Sequence, residues 1–320
     1  MEQVLATAKP TKTEKSGVGA RIRRELVKNK YVYLLALPVI AYYIIFCYWP
    51  MFGLVIAFKQ YEVAKGIFAS QWVGLKYFME FFQSRNFLRL MRNTLGISIY
   101  ELIAGFPAPI IFALLLNEIR NSKFKRTVQT ITYLPHFISM VVLCGMITDF
   151  FSTEGIITKI LMHFGGQQIN YLGEPRYFKT IYVTTGIWQG VGWGSIIYLA
   201  ALSGINPELY EAATVDGAGR FRQLLAVTLP GIAPTIVIML ILRMGQLMSV
   251  GYEKIILLYN PSTYETADVI SSFVYRRGIG ESAQYSFSSA VGMFQSVINL
   301  VLLLGANYLS RRFSGNSLFR

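Results

Sequence analysis

The sequence predicts an all-α membrane protein built from six spans, and three observations carry that prediction. Hydrophobic residues make up 53% of the 320-residue chain and charged residues only 15%, against roughly 25% charged in an ordinary soluble domain. Long stretches without Asp, Glu, Lys or Arg recur, each near the ~20 residues needed to cross a ~30 Å hydrocarbon core. Lys and Arg outnumber Asp and Glu by 30 to 17. Their concentration in alternate connecting segments favours a positive-inside topology over nucleic-acid binding.

Taken in order, residues 31–58, 127–148, 180–207 and 282–310 carry no charge, while 93–117 contains Glu101 and 229–250 contains Arg243. Six spans put both ends on one side. With the N-terminus inside, segments 1–30, 118–126, 205–228 and 310–320 hold 17 Lys and Arg in 74 residues. The segments on the other side, 59–92, 152–180 and 251–287, hold 12 in 100. The denser set marks the cytoplasmic face, so both termini are expected there. Arg21, Arg23, Arg24, Lys28 and Lys30 precede an apolar run, as in a secretory signal, but the run is long enough to span and five more follow. It reads as a retained first helix. The expected organisation is a basic tail (1–30), a six-span domain (31–310) with a structured loop at 205–230, and a short C-terminal tail (311–320).

Several function classes find no support. No G-x-x-x-x-G-K-[ST] phosphate loop occurs, and Gly190, Gly192 and Gly194 in QGVGWGS have the wrong spacing, and no preceding strand, for a dinucleotide fingerprint. Helix packing explains them better. His136 and His163 offer no metal pair or triad, and Cys47 and Cys144 no disulfide framework; both thiols are expected to be buried and inert. No catalytic residue, cofactor or metal site is expected, and no internal repeat of the inverted-carrier kind is visible.

The loop NPELYEAATVDGAGRFRQLLAVTLP carries the functional signal. Asn206 suits a helix N-cap, Pro207 the first helical position, and Glu208 and Glu211 the positive end of the dipole. A helix over 207–216 is expected. Gly217 and Gly219 then turn the chain, and a second helix starting near Phe221 runs into the fifth span. Ala212 and Ala213 give the first helix a slim profile that fits a groove of another protein; an interfacial helix that orients its neighbours is the alternative.

This loop resembles the signature of permeases from bacterial importers driven by ATP-binding cassettes, E-A-A-x3-G-x9-I-x-L-P. The matching residues are Glu211, Ala212, Ala213, Gly217, Leu229 and Pro230, with Val227 in place of Ile. SGINPELYEAATVDGA and YLPHFIS look like the carbohydrate branch, closest to permeases for oligosaccharides or polysaccharide fragments, and the resemblance covers most of the chain beyond Tyr31. It implies a six-helix permease bundle of the maltose-importer type (type I ABC importer), with a cytoplasmic coupling helix between spans 4 and 5. It also implies a bacterial cytoplasmic-membrane subunit without enzymatic activity of its own. The implied partners are a second homologous permease completing the pore, two ATPase subunits beneath, and an extracytoplasmic solute-binding protein. Glu211, Ala212, Ala213, Asp216, Gly217, Leu229 and Pro230 would then couple to the ATPase. Candidate pathway residues are Arg243, Glu101, Trp188 and Gln189, because sugars are bound by aromatic faces, amides and hydrogen-bonding forks. Glu101 and Arg243 are expected at similar depth, either paired or facing substrate. A permease for another solute and a self-sufficient carrier are the alternatives.

Overall fold

The computed structural model describes Glu25 and residues 27–280, 283–315 and 317–319; most of the expected basic tail, including Arg21, Arg23 and Arg24, lies outside them. The chain divides into two compact units between Leu54 and Val55. In the first, Lys30–Tyr42 is α-helical and leads into the π-helical stretch Tyr43–Tyr48, with no residue buried in either. Cys47 is therefore exposed, contrary to expectation, whereas Cys144 is buried: a helix whose whole circumference is apolar has no face that must turn inward.

By length and composition, five helices among the described residues can cross a membrane: Lys30–Phe58, Phe87–Glu118, Met140–His163, Arg220–Met244 and Tyr285–Arg312. The expected span 180–207 is the 29-residue helix Pro175–Ser203, about 43 Å long. Its Thr, Gly and Gln content keeps it out of that apolar set. The packing accounts for this composition, because small residues let neighbouring helices approach. A Cβ on Gly192 would collide with the backbone of Thr132 and approach Tyr133 Cδ1 to 3.0 Å, and one on Gly194 would lie 3.2 Å from Pro109 Cβ. Of the glycines that mimic a nucleotide motif, Gly192 and Gly194 are therefore helix contacts, whereas a Cβ on Gly190 would meet nothing within 4 Å. Gly192→Val is expected to cost about 1–3 kcal/mol through overpacking, read as a lowered thermal midpoint of the purified protein; an unchanged midpoint would contradict the contact.

Two expected spans are corrected. The third, 127–148, is not one helix: Ser122–Tyr133 passes through a 3-10 turn at Leu134–Phe137, and a new helix starts at Met140. Pro135 cannot donate to the ladder, and the side chain of Ser139 caps the next helix by accepting from Val142 N at 3.4 Å. The fifth, expected to reach Val250, ends at Met244. The irregular backbone beyond it is satisfied from other helices, as it must be at membrane depth. Ser98 donates to Leu247 O, Gln295 Nε2 to Met248 O at 2.7 Å, and Met248 N donates to Asn299 Oδ1 at 2.9 Å.

The second span passes through a π-helical segment, Glu101–Gly105, before Pro107–Glu118, where Phe106 N reaches back to Glu101 O at 2.9 Å. At the Pro175 end of the central helix, residues 251–280 fold into short helices, Tyr252–Leu258, Tyr264–Ala267 and Ile270–Tyr275. They are fixed there by Thr266 Oγ1 donating to Pro175 O at 2.8 Å. A core of Leu143, Ile147, Phe178, Tyr182, Ile255 and Val269 lies beneath them. A separate core of Ile110, Ala113, Tyr198, Leu202 and Ile232 gathers near the Ser203 end.

Candidate functional site

Just beyond the Ser203 end of the central helix, Asn206 caps the helix Pro207–Val215 by accepting from Glu208 N at 3.1 Å. The helix closes in a Schellman motif: Ala218 N donates to Ala213 O at 2.9 Å and Gly217 N to Thr214 O at 3.0 Å. Gly217 holds φ at +75°, a left-handed conformation that only glycine adopts freely. Gly219, by contrast, is at φ −70° and N-caps Arg220–Gln223. That turn continues through a π-helical segment, Leu224–Thr228, into Leu229–Met244.

One face of the short helix is tied to the start of the fifth span. The Tyr210 hydroxyl lies 3.1 Å from Thr228 Oγ1, and Gln223 Nε2 donates to Thr214 Oγ1 and to Ala218 O, each at 3.0 Å. Glu208, Glu211, Ala212 and Val215, spaced to share another face, are exposed, as are Asp216 and Gly217, and Val215 is 88% exposed. Ala213 and Leu229 are half-buried and Pro230 is exposed. The helix is thus held firmly from behind and left bare in front.

The second site lies deep in the bundle. Arg243 forms an ion pair with Glu101, through Nη2 and Oε2, across 142 residues of sequence. Both line a cavity of about 460 Å³ together with Gly186, Gly190, Gly194, Tyr198 and Gln246. A second cavity, of about 280 Å³, also includes Glu101 and Gly186 and adds Tyr182, Gln189, Glu253 and Lys254. Gln189 therefore reaches a cavity wall. Trp188 lines neither and is 45% exposed, because it lies about 200° around the helix from Gly186. Trp193 stacks on His136 at 4.6 Å.

Sequence reasoning missed two features. Lys254 is only 5% exposed, donates to Tyr182 O at 2.9 Å and lies 4.7 Å from the centre of the Tyr182 ring. Burial pushes its ammonium down to about 8, with Cys144 and Glu101 acting in the other direction. Asp268, fully buried, accepts from Arg276 at 2.8 and 3.3 Å, from Arg89 at 3.3 Å and from Ser272 at 2.8 Å. Burial would lower the Arg276 pKa, but hydrogen bonding and charge pairing with Asp268 outweigh it and raise the value. A basic residue in a polar-looking segment gives no local hint of burial, so the charge pattern alone could not reveal either feature.

Residues 105–315 match the family model described as binding-protein-dependent transport system inner membrane component. In Bacillus subtilis (strain 168), the chain is similar to Protein LplB, with 43% identity over 305 residues, 95% of this chain and 96% of that protein. It is also similar to the polygalacturonan/rhamnogalacturonan transport system permease protein YteP of that strain, with 41% identity over 300 residues, 93% of each. A solved chain from a bacterial ABC transporter involved in the import of the acidic polysaccharide alginate superposes with a TM-score of 0.84 at 43% identity, over 92% of this chain and 99% of that one. Another, from an alginate ABC transporter in complex with alginate pentasaccharide-bound periplasmic protein, gives a TM-score of 0.85 at 42% identity, over 93% and 100%.

Proposed function

The chain belongs to the binding-protein-dependent transport system inner membrane component family and is an integral membrane permease of the ABC importer type, and from that premise we propose that it imports an oligosaccharide or polysaccharide fragment as half of a pore. The relatives named for polygalacturonan, rhamnogalacturonan and alginate transport support the substrate class. So do Tyr198, Arg243 and Gln246 on the otherwise largely apolar wall of the larger cavity, a few placed polar groups of the kind that orient a ligand. A second homologous permease completes the pathway, a solute-binding protein delivers the substrate outside, and two ATPase subunits dock on the cytoplasmic side. Both termini lie in the cytoplasm of a bacterial cell, with the six spans of 31–310 in its cytoplasmic membrane.

The observation that carries this reading is the helix Pro207–Val215, anchored on one face and bare on the other. Movement of a docked ATPase would be transmitted through Tyr210, Thr214 and Gln223 to the fifth span, and from there to Arg243. Glu211 and Asp216 supply charge to the contact, Ala212 and Ala213 close approach, and Gly217 the turn, while Leu229 and Pro230 begin the fifth-span helix it drives.

Gly217→Pro is expected to abolish coupling, since proline fixes φ near −65° where +75° is required and removes the Gly217 N–H. Glu211→Lys reverses a contact charge. Both variants should reach the membrane but lose sugar uptake and ATPase copurification at least about tenfold, as for a contact worth ~1.4 kcal/mol or more. Wild-type uptake and copurification in both would refute the coupling role.

A further inference from the structure

The 280 Å³ cavity is lined by a buried cation that, among the described residues, forms no salt bridge with a carboxylate. Arg243 is neutralised by Glu101, and the other carboxylate on that wall, Glu253, is exposed to solvent. Lys254 has a backbone carbonyl and an aromatic face as partners, and among the described residues no carboxylate stands within ion-pairing distance of it. An ammonium has three donors, and the Tyr182 carbonyl takes one. Gly186 keeps the approach open: a Cβ there would sit 3.5 Å from Lys254 Nζ. Burying an unpaired charge is costly, so a group kept this way beside a cavity is organised for an anion that arrives from outside the chain.

Resting on the oligosaccharide reading above, we propose that Lys254 is the specificity residue that recognises the carboxylate of a uronic acid unit passing through this cavity. Gln189 and Tyr252, on the same wall, offer an amide and a phenol ring to the remaining sugar hydroxyls. Glu101 lines both cavities, and its partner Arg243 lines the larger one. A uronate leaving Lys254 therefore meets the Arg243 guanidinium next, whose planar fork matches a carboxylate.

The test uses the assembled importer in proteoliposomes. Substrate-stimulated ATP hydrolysis is measured with trisaccharides of galacturonate and of mannuronate, each beside its methyl ester. The binding protein is identical in every arm, so a change in the acid-to-ester ratio between variants reports on the permease. For at least one uronate the wild type should prefer the acid, and Lys254→Met should lower that ratio about tenfold, the size of one charge-assisted hydrogen bond. Lys254→Arg should retain most of the preference, which a merely structural role would not predict. Esters stimulating as well as acids in the wild type would overturn the proposal while leaving oligosaccharide import standing. An acid preference unchanged in Lys254→Met would do the same. No stimulation by any of these saccharides would overturn both.

Discussion

Asp268→Ala is expected to destabilise the protein by about 2–4 kcal/mol, because it strands two partly buried cations, Arg89 and Arg276, that now share one fully buried carboxylate. Arg276 is held by Asp268 and lies 4.8 Å from the Tyr264 ring; without Asp268 it keeps aromatic contacts but loses its counter-charge. Arg89 loses its carboxylate as well. The same corner fixes the segment's backbone to the second span: Asn93 Nδ2 donates to Glu265 O at 2.8 Å and Asp268 O at 3.0 Å, and Ile270 N donates to Thr94 Oγ1 at 3.1 Å. Residues 251–280 should therefore loosen before the spans do. A large drop in the thermal midpoint, with early proteolysis in that segment, is the expected result. Replacing Arg276 with Met in the same chain should recover part of the loss. A midpoint equal to wild type would show that the cluster contributes little.

The parts of the fold that were legible are those written in neighbouring residues. The cap at Asn206, the first-turn proline and the left-handed Gly217 all act within a few positions of one another, so the short helix and its turn can be derived from spacing alone. The fifth span was overextended because residues 247–250 are nearly all apolar; what ends the helix is hydrogen bonding from Gln295 and Asn299, 47 and 51 residues away. The Asp268 cluster escaped for the same reason, since its partner Arg89 lies 179 positions distant. Trp188 is a different case. Aromatic residues suggest a sugar path, but the cavity wall of the central helix is its glycine face, Gly186, Gly190 and Gly194, where the absence of side chains creates the room. The pairing of Glu101 with Arg243 was within reach of the sequence because helical rise sets the relative height of residues on neighbouring helices.

For that pair the expectation is a coupled loss. Both residues are partly exposed to the cavity, 32% for Arg243 and 23% for Glu101, so solvent screens them and Arg243→Ala should cost about 1–3 kcal/mol, less than a sealed pair. Glu101→Gln in the same chain should restore part of it, because the cost comes from the stranded carboxylate and the amide no longer needs a counter-charge. A double-mutant cycle on thermal stability isolates the coupling, and a coupling energy indistinguishable from zero would mean that the contact does not hold in solution. Transport separates the remaining possibility. The pair sits where the second span passes through the π-helical segment Glu101–Gly105, a distortion often found at functional sites, and where the fifth span reaches the cavity. If the pair only stabilises, the Arg243→Ala/Glu101→Gln chain should transport in proportion to its recovered stability. If Arg243 also meets substrate, that chain should fold well and still lose substrate-stimulated ATP hydrolysis, since glutamine restores neutrality but not the guanidinium fork.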